Sequence, residues 1–532
     1  MAVPELRPWR AAGPHVVRAA GAVRPRLARA ARAAGQPLTR FARATTPQLA
    51  RITRPKTWQY TAGAATAGLA LAAGVVTAAG PWDSTGQRTA EQDRAVALAH
   101  TGGADHGVGS ADPGAPRPAP SAPAVLTGLT GASDGTAGGV KAAPRGEPLA
   151  DALGPLLDDP ALGTRRGAAV VDLSTGKRLY GLGSGTALTP ASTTKIATAV
   201  AALSALGPDH RLTTRTALEA DTGELVLVGG GDPTLTARED TRGLAGLRPL
   251  AERTAAALKK RGIGTVTLSY DTTLYTGAET HPIGVNENLA PVTALMADEG
   301  RTDDSTSGPA PRVADPAAEA ARAFAGFLED HGITASAPGP SRATNRAKTL
   351  ATVSSPPLSA LVERMLTHSD NDIAEALARH TAVATGQPAD FGGVSAAVTA
   401  RLKQLGLPVR GAVFHDGSGL DRTDRISADL LTALLAVAAD PARPELRPAL
   451  TGLPVAGFTG TLAGRYPDGA AGGLVRAKTG TLTGVNTLAG TVVTADGRVL
   501  AFAFLADGTT DAPSAQRALD AAASRLTACG CA

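Results

Sequence analysis

The chain is 532 residues long, enough for a sizeable core and more than one domain. Aromatic residues make up only 3%, so burial has to come from many small aliphatic contacts. The formal charge of +5 belongs to a tail: residues 1–56 carry twelve Arg or Lys against Glu5 alone, leaving 40 basic and 46 acidic residues elsewhere, which excludes a basic groove for nucleic acid.

After that basic tail (1–56), Thr57 to Trp82 carries no charge and has Trp58, Tyr60 and Trp82 at its ends. A stretch of that length, with interfacial aromatics and a basic flank, reads as one membrane crossing with the N-terminus inside. A cleaved signal sequence and a buried alanine-rich helix are the alternatives. Either membrane-directed reading places the rest of the protein on the extracytoplasmic face of the cell membrane, anchored there or secreted. Residues 83–147, rich in Gly, Ala, Pro and Ser without apolar periodicity, read as a disordered tether.

Folded sequence is expected from Pro148, with a helix in "PLADALGPLLDDPAL" and then a hairpin in "RGAAVVDLSTGKRLYGLGS" around a Ser-Thr-Gly turn. A helix opens at Ser192. Strands follow in 223–236 and 264–275 with a helix between them, and another helix spans 316–333. Strong helical spacing from Leu358 gives way to strands in "GLVRAKTGTLT", "NTLAGTVVTADG" and "RVLAFAFLAD", before a final helix from about Ala512. Helices grouped with a hairpin-built antiparallel sheet indicate an α+β fold. The two cysteines, Cys529 and Cys531, are too few for a zinc site and form a local disulfide or stay free. No metal and no cofactor is expected.

Three short motifs carry chemistry. Ser192 and Lys195 stand three apart at a helix start, which puts hydroxyl and amine on one face. A serine needs a base to become a nucleophile, and a lysine with a lowered pKa serves. A second S-x-x-K, Ser174 to Lys177, falls in the expected hairpin turn, where no helix aligns the two groups. Ser369-Asp370-Asn371 precedes a helical run and reads either as an N-cap cluster or as a proton relay (Ser369) with a substrate-amide contact (Asn371). Lys478-Thr479-Gly480-Thr481 lies on an expected strand, where glycine admits a close ligand backbone and lysine offers charge to a carboxylate.

In the order S-x-x-K, S-x-N, K-T-G, these motifs resemble the active-serine penicillin-recognising enzymes. The 177 residues between Ser192 and Ser369 leave room for an inserted domain, and the chain is similar to the class C low-molecular-mass penicillin-binding proteins, the D-alanyl-D-alanine carboxypeptidase/endopeptidase family. The stretches "LVLVGGGDPTLT", "FHDGSGLDR", "LPVAGFTGTLAGR" and "RAKTGTLTGVNTLAG" share the likeness. The resemblance implies a penicillin-binding, serine β-lactamase-like domain (148–212 and 346–532) interrupted by smaller inserted domains (213–345). It implies peptidoglycan stem peptides as substrates and β-lactam antibiotics as acylating ligands. It makes Ser192 the nucleophile, Lys195 its base, and the backbone N–H groups of Ser192 and Thr481 the oxyanion donors. Lys478 and Thr479 receive the terminal carboxylate, with Lys478 charged and its field lowering the pKa of Lys195. Leu420 and Arg422 line the pocket for the stem-peptide side chain; for Arg422 a surface salt bridge is the alternative. His281, His368 and His380 read as structural or surface residues.

Two rivals share these motifs. A serine β-lactamase needs fast deacylation, in one large group through a glutamate between the second and third motifs, and no convincing candidate stands there. A non-catalytic penicillin-binding receptor would use the fold without the chemistry, against which the intact motifs argue.

Overall fold

The computed structural model describes residues 149–466 and 471–528; the expected tail, membrane segment and tether, together with Cys529 and Cys531, lie outside the described residues. Among the described residues no helix is long and apolar enough to cross a membrane.

Helix α1 (Leu149–Leu157) leads into strands β1 (Arg165–Asp172) and β2 (Arg178–Leu182). Their turn forms because the Asp172 carboxylate accepts the N–H groups of Ser174 and Thr175 and the Ser174 hydroxyl. The second S-x-x-K copy is thereby consumed in a local turn. Strands β11 (Val475–Leu482), β12 (Val485–Val493) and β13 (Val499–Asp507) complete a five-stranded sheet, ordered β11-β12-β13-β1-β2 and antiparallel throughout.

Alternation along the strands decides what packs on each face. Val170, Phe502 and Phe504 point to α1 and the last helix, α10 (Ala512–Thr527). Ala169, Ala489, Ala501 and Ala503 point the other way, and their small size lets helix α8 (Ala428–Ala439) lie close on the sheet. Helices α2 (Thr194–Leu206), α5 (Leu358–His368), α6 (Asn371–Ala384) and α7 (Phe391–Gln404) complete the same core. Every residue of α2 from Thr194 to Leu203 is buried, so this alanine-rich helix, whose one ionisable residue is Lys195, is the axis of the bundle.

Between α2 and α5 the chain builds a second layer. Its sheet is ordered β7-β6-β5-β4-β9, from β4 (Thr213–Leu218), β5 (Glu224–Val228), β6 (Thr265–Asp271), β7 (Thr334–Ala335) and β9 (Lys348–Ser354), with β8 (Gly339–Pro340) also on β6. Helices α3 (Leu247–Lys259) and α4 (Pro316–Asp330) cover it. The first and last of its strands are neighbours, Thr213 opposite Ser354, so the excursion leaves and rejoins the main body at one place. This sheet reaches Ser354, past the 345 boundary expected from sequence, because β9 completes the edge of β4. It is also mixed, since β5 and β6 are parallel across the α3 crossover, whereas hairpins alone were expected. Strand β4 and helices α7 and α8 fall outside the elements expected from sequence; β4 buries Thr214 and Thr216 with only Ala217 as a fully buried aliphatic, and Thr216 is bonded to Thr254 on α3.

The expected strand 223–236 ends at Val228. A Cβ on Gly229 or Gly230 would sit 2.5 or 2.1 Å from the carbonyl oxygens of Ala294 or Thr213, so this close backbone packing replaces pairing. The chain then turns at Asp232, whose Oδ1 accepts the N–H and hydroxyl of Thr234. Burial pushes the Asp232 carboxyl up to about 6. A raised carboxyl contributes stability below its unfolded pKa near 4 and loses it as pH rises through about 6. Asp232→Asn is therefore expected to gain up to about 3 kcal/mol relative to the parent between pH 4 and pH 8, measured by urea unfolding at each pH.

Candidate active site

Ser192 occupies a single 3₁₀ turn, Ala191–Thr193, that runs into α2. The turn is pinned by the Thr193 hydroxyl on the Pro190 carbonyl and requires a left-handed Ala191, φ 47°. One turn on, Lys195 is fully buried, and its Nζ donates to Ser192 Oγ at 3.0 Å, Asn371 Oδ1 at 2.6 Å and the Ser418 carbonyl at 2.7 Å.

The second motif breaks what the sequence reads as one helical run. Helix α5 stops at Ser369, left-handed at φ 59°, and Asp370 caps α6 by accepting the Ile373 N–H. The capping reading of this motif holds, and the cap places Ser369 and Asn371 at one cavity. Asn371 also donates to the Asn288 carbonyl, and Arg312 pairs with Asp372 at 3.0 Å, so the inserted segment braces this helix start.

The third motif lies on β11. Lys478, fully buried, donates to Ser369 Oγ and to the Thr479 carbonyl, each at 2.9 Å, so Ser192 and Ser369 each receive a lysine amine. Ser192, Ser369, Asn371, Leu420, Thr479 and Thr481 line one cavity, joined by Asn288, His368 and Thr461. Thr479 shares a hydrogen bond of 2.9 Å with Thr461.

The match with known proteins then decides the family. The model of the D-Ala-D-Ala carboxypeptidase 3 (S13) family matches residues 149–311 and 302–528. The chain belongs to this family. It is 36% identical over 433 residues to a carboxypeptidase of Mycobacterium tuberculosis, covering 78% of this chain and 90% of that one. It is 38% identical over 400 residues to carboxypeptidase DacB of Mycolicibacterium smegmatis, covering 72% and 84%. The α+β fold resembles penicillin binding protein 4 of Haemophilus influenzae, with a TM-score of 0.58 at 22% identity over 70% of this chain and 98% of that one.

Within this S13 site, a Cβ on Gly480 would meet Thr487 Oγ1 at 2.1 Å and the Pro190 carbonyl at 2.8 Å, so this glycine lets β11 press against the Ser192 turn. Arg422 is exposed, lies outside the cavity lining and donates to the Thr483 carbonyl at 2.5 Å, tying two loops instead of forming a salt bridge.

The electrostatics also differ from expectation. Burial lowers the Lys195 pKa to about 8, opposed by Asp416, Glu375, Asp370 and Asp372. Burial lowers Lys478 as well, well below the usual lysine range, and the Lys195 charge adds to that. The leading cause of the Lys195 shift is its own burial rather than the field of Lys478.

Several residues beneath the site escape the motifs. Glu375, fully buried on α6, accepts the N–H groups of Gly417 and Ser418. Asp416 accepts those of Gly419 and Asp421 and pairs with His281 at 2.9 Å. Glu375 has a signal in sequence, lying four residues after Asn371 on the same helix face; Asp416 lies in the stretch "FHDGSGLDR", but no spacing ties it or His281 to Lys195. His380 is buried against Tyr275, and His368 is exposed at the cavity.

Proposed function

We propose that the chain is a serine-type D-alanyl-D-alanine carboxypeptidase/endopeptidase of peptidoglycan stem peptides, working through an acyl-enzyme and acylated by β-lactams. The observation that carries this reading is the buried Lys195 amine on Ser192 Oγ, with Ser369 and Lys478 closing the opposite side. Ser192 Oγ attacks the carbonyl carbon of the penultimate D-alanine and its proton passes to Lys195 Nζ. The oxyanion accepts the N–H groups of Ser192 and Thr481, donors of a kind worth about 10²–10³ in rate each. Collapse expels the terminal D-alanine, whose amine is protonated through Ser369, and water then cleaves the Ser192 ester.

The leaving D-alanine carboxylate sits at Thr479, beside Lys478, where its negative charge favours the protonated Lys478 that burial alone disfavours. Asn371 orients the substrate amide and Leu420 contacts the stem-peptide side chain. Arg422, outside the cavity, has no role in this scheme. Where the D-alanine amide joins a neighbouring stem, the same steps open a cross-link. Peptidoglycan lies outside the cytoplasm, and the uncharged stretch Thr57–Trp82 behind a basic tail supports an extracytoplasmic domain anchored to the cytoplasmic membrane.

The test incubates the full chain with a stem pentapeptide ending in D-Ala-D-Ala and with cross-linked mucopeptide dimers, followed by mass spectrometry. Loss of one D-alanine from the pentapeptide is the expected result, and the dimer measures the endopeptidase share. A protein that binds penicillin yet leaves both substrates intact overturns the reading.

A further inference from the structure

Lys195 is held from behind by a backbone group rather than by a side-chain acid. The Ser418 carbonyl that accepts its Nζ at 2.7 Å belongs to the peptide unit Ser418–Gly419. The N–H of that same unit, on Gly419, donates to Asp416 Oδ1 at 2.6 Å. A peptide's C=O and N–H point in opposite directions, so a carboxylate on one side and an amine on the other fix its orientation and polarise it. The adjoining unit Gly417–Ser418 is fixed in the same way, its N–H on Glu375 Oε1 at 3.0 Å.

Asp416 is itself locked. Its Oδ2 accepts the Asp421 N–H at 2.7 Å and His281 Nε2 at 2.9 Å, and its side chain is fully buried. His281 comes from the inserted segment, so the insertion reaches the base of Lys195 through this pair as well as through Asn288 and Asn371. Burial disfavours the Asp416 charge, but His281 and the two N–H groups hold its carboxyl below the ordinary range. Its neighbour Asp424 is pushed up to about 10 by burial and by Asp416. Asp416 therefore keeps its charge, and Asp424, facing it, does not.

We infer that Asp416 is a positioning residue for the acylation, holding the Ser418–Gly419 peptide on Lys195 and supplying, through it, the counter-charge to the ammonium that Lys195 becomes on taking the Ser192 proton. The chain Ser192–Lys195–peptide–Asp416–His281 does for a lysine base what an acid behind a histidine does elsewhere: it orients the base and stabilises its charged form. Glu375 supports the neighbouring peptide and is the second anion of this layer. The other charges facing Lys195 are Asp370 and Asp372, with Lys478 as the opposing cation. This inference rests on Lys195 being the base, as proposed above.

The test is the pH profile of acylation by a fluorescent penicillin, measured on the full chain and on Asp416→Asn. Asparagine keeps an oxygen for the Gly419 N–H and removes the charge. Without the anion Lys195 loses its proton more easily, so the acid limb is expected to move to lower pH by about 0.5–1 unit, while the plateau rate drops about tenfold. Glu375→Gln moves the limb in the same direction by less. A folded Asp416→Asn protein with its limb at the parent position, whether the rate falls uniformly or not at all, overturns the inference. If Asp416→Asn does not fold, Glu375→Gln decides by the same criterion. The parent's own labelling, read in parallel, separates a failure of the acylation chemistry from a failure of the role given to Asp416.

Discussion

Lys195→Met is expected to slow acylation by penicillin about 10²–10⁴-fold while the protein still folds, the range spanned by loss of a general base. Lys195 Nζ is the nitrogen on Ser192 Oγ, at 3.0 Å, and its pKa near 8 leaves an appreciable neutral fraction at neutral pH. Methionine has a similar unbranched reach and needs no desolvation of a charge, so the fully buried site tolerates it far better than an ionised substitute. Stopped-flow or gel-based labelling measures the rate. In the parent the rate rises with pH through about 8, because the base is the unprotonated amine; in Lys195→Met that limb disappears. A rate within tenfold of the parent places the base elsewhere.

Gly419→Ala is expected to lose both stability and acylation. Gly419 sits at φ +80°, and an added Cβ would lie 2.0 Å from the Ala191 carbonyl oxygen and 2.8 Å from Thr194 Oγ1. A left-handed non-glycine costs about 1–2 kcal/mol and overpacking a further 1–3 kcal/mol or so, which together predict a loss of about 2–5 kcal/mol. The displaced atoms flank Ser192 and Lys195, so relief of the clash moves the nucleophile's turn or the peptide behind the base. Chemical denaturation measures the first effect and penicillin labelling at a temperature where the variant is folded measures the second. A variant as stable and as quickly acylated as the parent contradicts the packing of this loop on the Ser192 turn.

The site was legible where chemistry demands fixed residue types at short spacing. Ser192 and Lys195 are one turn apart, and Ser369 and Asn371 flank a capping aspartate, so local geometry alone makes each pair usable. What joins the pairs is tertiary: Lys478 reaches Ser369 across 109 residues and Lys195 reaches Ser418 across 223. No spacing rule links Lys195 to Asp416, and the layer beneath the site stayed hidden for that reason. The carboxylates that face Lys195 come from distant parts of the chain, and so does Pro190, against which Gly480 packs. In the fold, the main sheet showed itself through alternating aliphatics, whereas β4 hides behind inward-facing threonines. The run of α8 shows no amphipathic period because its partly buried face is also apolar, with Ala433, Ala436, Val437 and Ala439.

The most direct measurement of the central claim is peptide mapping by mass spectrometry after the full chain is incubated with benzylpenicillin. The expected result is a single penicilloyl adduct on the fragment containing Ser192, absent from Ser192→Ala. An adduct on Ser174 or Ser369, or equal labelling of Ser192→Ala, would contradict it.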